Sequence, residues 1–353
     1  MKKKVLWAVF VGCFFLSIVS TGRAAEVIRL KYNNFYAPTH FMGVSAGQFC
    51  DDIKKRTNGR VEISHYPGST LTPPPRVFDG VVQGISDIGL LSAGYTRGRF
   101  PVTDAINLPL GFPSGWVASH VSNDFYEKFK PKEWDSVHPL YFFAIGPVVL
   151  STTKKPVKTL DDFKGLKVRA VGRVADMTKL LGGIPQPLEI GDVYEALRRG
   201  VLDGTMLPLE PLKAWKTGEI LKHVTASWKV GISGSLSVVM NKEKWNNLPA
   251  DIKKIFEEVS AEYSEKFAVL WTQADIDGRD FLKSQGGTII SLSDAESAKW
   301  IATVQPMLED YKKELTSKGY TEKDADGFIS YVKERIDHWR KIEKERKIPT
   351  PYE

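Results

Sequence analysis

Cysteine is scarce in this chain: Cys13 and Cys50 are the only two in 353 residues. The six histidines, at positions 40, 65, 120, 138, 223 and 338, form no His-x-His, His-Glu-x-x-His or Cys-plus-His spacing, so no metal site is legible. There is no Gly-rich loop ending in Lys-Ser/Thr to cradle a phosphate. There is no Gly-x-Ser-x-Gly elbow either; Gly231-Ile232-Ser233-Gly234-Ser235 comes near that shape but precedes an apolar strand instead of turning a strand into a helix. The adjacent carboxylates Asp51-Asp52, Asp161-Asp162 and Glu257-Glu258 point apart on a helix and read as solvated pairs, not acid/base dyads. These absences weigh against catalysis, and no cofactor is called for. Internal repeats and low-complexity linkers are also missing, so any lobes must be joined by ordered crossings.

The first residues do have a character of their own. Lys2, Lys3 and Lys4 precede an apolar run from Val5 to Val19, interrupted by Gly12 and Ser17, and small residues surround Arg23 at its exit. A basic start, a short apolar stretch and a small-residue exit describe a secretory signal, with cleavage expected after Ala24. The run is short for a membrane span, which needs roughly 20 apolar residues. An uncleaved anchor and lipidation at Cys13 are the alternatives; the apolar stretch Phe14 to Val19 behind Cys13 argues against the second. Residues 1–24 hold four of the 49 basic residues and none of the 42 acidic ones, so the remainder carries 45 against 42, a net of +3 instead of +7. Nothing in that balance asks for nucleic acid. The stretch Lys341 to Lys347 is interleaved with Glu343 and Glu345, as on a solvated helix face. Cys50 is left alone, without an internal disulfide, in a helical apolar pattern that suits a half-buried core thiol better than a nucleophile.

The 329 residues after the signal exceed what one hydrophobic core usually serves, and two lobes are expected. Strands are read at 27–35, 61–66, 87–91, 139–144, 167–170, 186–188 and 203–207. Helical patterns lie at 40–57, with Phe41, Val44, Phe49 and Ile53 on one side, at 173–181 and at 192–199, and prolines 73–75 open another through Val81. Their alternation argues for α/β lobes with mainly parallel sheets. Residues 251–284 repeat apolar positions at helical spacing without a proline and predict one helix long enough to run across both lobes. The end, 293–347, reads as mostly helix.

Four segments in order resemble the substrate-binding proteins of TRAP (tripartite ATP-independent periplasmic) transporters, of the DctP type. They are Thr57 to Gly68 followed by Gly80 to Asp87; Pro156 to Arg169, with Leu160-Asp161-Asp162-Phe163-Lys164-Gly165 at its centre; Asp192 to Leu197 running into Gly200 to Gly204; and Asn241 to Lys254 with Trp245, Leu248 and Pro249. The resemblance covers nearly all of the chain after the signal. It implies a two-lobe periplasmic-binding-protein fold with hinge strands and a long bridging helix. It also implies capture of a small organic carboxylate in the periplasm, closure of the cleft, and delivery to a TRAP membrane permease driven by an ion gradient. The lobes are expected at 25–147 plus about 233–272, and at 148–232 plus about 273–345. An enzyme on the same scaffold, such as a lyase or transferase, and a binding protein of an ATP-driven importer or a sensor are the alternatives.

The resemblance also assigns residues. Arg169 matches the arginine that binds the ligand carboxylate in the family, a task that suits a guanidinium, always charged and with paired donors. Many acid-binding relatives place a second Arg upstream, where this chain has Gly146-Pro147-Val148-Val149. Many carry Asn three residues after the Asp-Gly, where this chain has Leu207. An apolar wall leaves a ligand hydroxyl unpaired at about 1–3 kcal/mol. The expected ligand is therefore less polar than a sugar acid: a monocarboxylate with an apolar or aromatic body. Phe35, Tyr36, Ser92 and Tyr95 face it by position in the family pattern, or are ordinary core. Trp215 and Glu210 follow the strand of Leu207; Glu210 either meets an amino group, helps hold a metal ion as a carboxylate does in some relatives, or is a helix N-terminal charge.

Overall fold

The computed structural model describes residues 26–352. The expected signal at 1–24, with Cys13, lies outside them. Eleven strands follow: β1 Ile28–Asn33, β2 Val61–Tyr66, β3 Ile88–Ser92, β4 Val137–Pro147, β5 Val149–Thr152, β6 Lys167–Arg169, β7 Ile184–Gln186, β8 Gly204–Leu207, β9 His223–Ala226, β10 Ser233–Asn241 and β11 Thr288–Ser291. They form two sheets, one in the order β2-β1-β3-β10-β4 and the other β11-β9-β5-β8-β6-β7. The helices that matter most here are α1 Phe41–Arg56, α2 Gly115–Phe129, α3 Gly172–Leu180, α4 Glu210–Ala214, α5 Ala250–Ser284, α6 Asp294–Val304, α7 Pro306–Ser317 and α8 Glu322–Glu345.

The sheets are mixed, not mainly parallel. β1 lies parallel to β2 and β3, and β6 parallel to β7 and β8, but β10 is antiparallel to β3 and β4, and β5 antiparallel to β8 and β9. The antiparallel strands are those that carry the chain between lobes. β4 ends at Pro147 and β5 begins at Val149, while β9 passes back into β10 beside it, and Val148 N–H donates to Ile232 O at 2.9 Å between the two passages. Hydrophobic patterning cannot distinguish the pairing sense of a buried strand.

α1 shows why its segment is helical. His40 caps it, with Nδ1 accepting the Met42 N–H at 3.1 Å; Lys54, Lys55 and Arg56 suit the negative end; Asn58 and Gly59 turn the chain away at positive φ. Met42, Phe49 and Ile53 pack under β1, but Val44 is 46% exposed, one helical position off the expected face. Cys50 is buried, and burial with the neighbouring Asp51 pushes its thiol up to about 12, which leaves it inert. The strand read at 186–188 is β7, at 184–186. Pro187 has no N–H to continue the ladder, and Pro185 is tolerated because β7 is an edge strand.

α5 holds 35 residues, about 52 Å at 1.5 Å per residue. Its first part gives Phe256, Tyr263, Phe267 and Trp271 to the core of the first lobe, and Leu282 near its end joins a cluster of the second. The close approach in its last third needs glycine: a Cβ on Gly278 would lie 2.0 Å from Leu209 O, and one on Gly146 would lie 1.7 Å from Asp275 Oδ2. The expected division puts 273–345 with the second lobe. β11 and α6 do pack there, through Trp300 and Val304, but α7 and α8 return to the first lobe, where Tyr311, Phe328 and Val332 share a core with Val121 and Phe125 of α2.

Candidate functional site

Ligands of open α/β sheets bind beyond the carboxyl ends of the strands. Here the ends of β1, β3, β6 and β8 converge on one cleft between the lobes, a mostly apolar cavity of about 100 Å³. Phe35 and Tyr36 follow β1; Ser92 ends β3 and Tyr95 lies in the turn after it; Arg169 ends β6; Leu207 ends β8; Val148 stands in the crossing; Glu210 opens α4 and Trp215 follows it. All of these line the cavity. Val149 does not. Side chains alternate along β5, so Val149 turns to the opposite face and packs with Val193, Leu197 and Val224.

Arg169 is 4% exposed. Its Nε donates to Leu188 O at 3.0 Å and its Nη2 to the Tyr95 hydroxyl at 3.1 Å, and the same hydroxyl accepts the Ile190 N–H at 3.2 Å. These bonds occupy two of its five N–H groups and set the plane of the fork. Among the described residues no carboxylate pairs with it. Burial draws its pKa down, offset by Tyr95 and Tyr36, but a guanidinium stays charged. A buried cation without a counter-ion is held at a penalty of several kcal/mol, which an anion in the cleft would relieve.

The other arginines of the wall are already engaged. Arg97 grips Asp176 through two bonds of 3.0 and 2.8 Å. Arg173 reaches Asp104 at 3.3 Å and Glu314 at 2.6 Å, and Asn107 bonds Asp104 while accepting the Ser235 N–H. These pairs, like Arg169 with Tyr95, run from one lobe to the other, so the cleft is closed by polar clasps at several points.

Glu210 is 1% exposed. Its Oε1 lies 2.6 Å from His40 Nε2. Because His40 Nδ1 accepts the Met42 N–H, it is Nε2 that carries the proton and donates it to Glu210 Oε1. The imidazole is sandwiched, with Tyr36 at 4.5 Å and Phe41 at 4.6 Å. Behind it, Asp275 of α5 accepts the Glu210 N–H at 2.8 Å, while its Oδ2 has no partner among the described residues. Burial, with Glu210 close by, pushes the Asp275 carboxyl up to about 8.

His40, Asp104, Asn107, Arg173, Trp271 and Asp275 were not found by reading the sequence. His40 carried a signal in the helix start it caps; the others sit in unremarkable helical or loop segments, brought to the cleft only by tertiary packing. Among the described residues no group of three or more His, Cys, Asp or Glu stands close enough to hold a metal ion, and no helix is long and apolar enough to cross a membrane.

Residues 32–314 match the bacterial extracellular solute-binding protein family 7 (DctP). The C4-dicarboxylate-binding periplasmic protein DctP of Rhodobacter capsulatus is 28% identical over 325 residues, 89% of this chain and 96% of that one. A TRAP periplasmic solute binding protein from Desulfovibrio salexigens, solved as an open complex, is 33% identical over 88% of this chain and 95% of its own, with a TM-score of 0.78. A marine metagenome TRAP solute binding protein specific for aromatic acid ligands, solved with 3-hydroxybenzoate, is 26% identical over 89% and 99%, with a TM-score of 0.82. With two lobes, a bridging helix and a cleft between them, the chain belongs to the family 7 extracellular solute-binding proteins of TRAP transporters, which bind solutes and are not enzymes.

Proposed function

We propose that this protein captures a monocarboxylate with an apolar or aromatic body and passes it to TRAP permease subunits. The observation that carries this reading is Arg169, a buried guanidinium at the cavity wall with donors to spare and no carboxylate upon it among the described residues. A second carboxylate on the ligand would find no free cation, since Arg97 and Arg173 are each held by acidic residues. Leu207, Val148 and Met206 give the ligand body an apolar wall, and Phe35, Tyr36 and Trp215 give it aromatic faces. The relative solved with 3-hydroxybenzoate supports an aromatic body; the C4-dicarboxylate-binding relative is the competing precedent.

In this reading the chain is exported to the periplasm with its signal removed after Ala24, and the two lobes open and close about the crossings at 147–149 and 227–233. The test is a thermal-shift screen of the exported protein against aromatic, branched-chain, dicarboxylic and sugar acids. A ligand at 100 times its dissociation constant adds about 2.7 kcal/mol of stability. Shifts confined to apolar monocarboxylates support the proposal; a largest shift from a dicarboxylate or sugar acid overturns it.

A further inference from the structure

The cavity wall holds a carboxylate as well as a guanidinium. Glu210 has Oε1 on the Nε2–H of His40, and its Oε2 has no hydrogen-bond partner among the described residues. His40 cannot cancel the charge: protonating Nδ1 would set an N–H against the Met42 N–H that it now accepts. Arg169 is the one cation of the wall without a carboxylate among the described residues. It does not reach Glu210 within ion-pair distance, and the Tyr36 hydroxyl, pushed up first by burial, feels both, raised further by Glu210 and lowered by Arg169. The closed cleft thus presents a positive and a negative group, separate, both buried and both under-satisfied.

A simple carboxylate would neutralise Arg169 and leave Glu210 as an uncompensated buried charge beside a second anion. A ligand that also carries an ammonium group would neutralise both. In a space closed from water that difference outweighs small changes in apolar contact. Resting on the monocarboxylate reading above, we propose that the ligand is a zwitterion: an amino acid with an apolar or aromatic side chain, its carboxylate on Arg169 and its ammonium on Glu210. His40 is then a positioning residue that fixes one Glu210 oxygen and leaves the other for the ligand. Tyr36, stacked on His40, and Trp215 flank the same point.

The test compares amino acids with acids that lack only the amine, by titration followed in tryptophan fluorescence, since Trp215 and Trp271 line the cavity. The pairs are phenylalanine with 3-phenylpropanoate and leucine with 4-methylpentanoate, each amino acid as both enantiomers. The amino acid of at least one pair is expected to bind tenfold or more tightly than its partner. Glu210→Gln is expected to reverse that order, weakening the amino acid and strengthening the plain acid by relieving repulsion between carboxylates. If the plain acids bind as well as or better than both enantiomers in both pairs, the zwitterion proposal is overturned while the monocarboxylate reading stands. If neither class binds and a sugar acid does, both fall. Should Glu210→Gln not fold, the parent's preference alone decides.

Discussion

Asp275 Oδ1 accepts the Glu210 N–H at 2.8 Å, tying the last third of the bridging helix to the start of the short helix that carries the buried carboxylate of the cleft. The bond crosses the point where Gly278 lets α5 approach Leu209 and where Gly146 makes room for the second Asp275 oxygen. One residue of the long helix therefore braces the start of α4 and packs against the crossing strand.

The raised pKa of Asp275 has a signed consequence. The folded state keeps the proton up to about pH 8, whereas the unfolded chain loses it in the ordinary carboxylate range. Between those limits the folded state binds more protons, so stability falls as pH rises, by up to about 1.4 kcal/mol per pH unit for this one group. Asp275→Asn keeps an oxygen to accept the Glu210 N–H and has no proton to lose. Denaturant titrations from pH 5 to pH 8 should show the parent losing stability relative to Asp275→Asn; parallel curves would refute the assignment.

Gly278→Ala tests the approach of α5 to the site. In an exposed helix interior this change stabilises by about 1 kcal/mol. Here the new Cβ would meet Leu209 O, and overpacking of this kind typically costs about 1–3 kcal/mol or more. The midpoint of thermal unfolding is expected to drop by several degrees and ligand affinity to weaken, because Leu209 directly precedes Glu210. A midpoint that rises would contradict a tight contact between Gly278 and Leu209.

Cleft closure is expected to follow the ligand. Contacts that bridge the lobes at the cleft include His40 to Glu210, Tyr95 to Arg169, Arg97 to Asp176, and Arg173 to Asp104 and Glu314. They are exposed to different degrees, and exposed pairs such as Arg97 with Asp176 contribute only about 0–1 kcal/mol each. Closure should then need the ligand to bias it. Solution scattering should give a smaller radius of gyration with saturating ligand than without; an unchanged profile would mean a preformed site.

Much of this was readable in the residues. The strand Val61–Tyr66 and the single helix from 250 to 284 were, because strict periodicity survives any tertiary context. So was the place of Arg169 at a strand end beside the cleft, through the segment that resembles the family and leads into it. The parts that were not share a cause. Val44 and Val149 each sit one position from the expected face, and a one-residue phase shift is invisible to composition yet reverses which side is buried. The return of α7 and α8 to the first lobe is decided by which apolar faces meet, since either lobe offers such a face. The Arg173, Asp104 and Asn107 cluster joins residues from different lobes, and no spacing in the chain announces it.

Export has its own check. N-terminal sequencing of the protein recovered from the periplasm should begin at Ala25; a protein retaining Met1 in the cytoplasm would remove the transport reading.

The most direct measurement of the central claim is the affinity of one bound acid against that of its primary amide, for the parent, Arg169→Ala and Arg169→Lys, with folding checked by circular dichroism. The amide keeps the body of the ligand and loses only the charge. The parent should prefer the acid by at least 100-fold. Arg169→Ala should lose that preference, since leaving a buried charge unpaired costs on the order of 3–5 kcal/mol and each 1.4 kcal/mol is tenfold. Arg169→Lys should recover only part of it, because a point charge does not reproduce the fork. An amide that binds the parent as tightly as the acid would contradict Arg169 as the anchor.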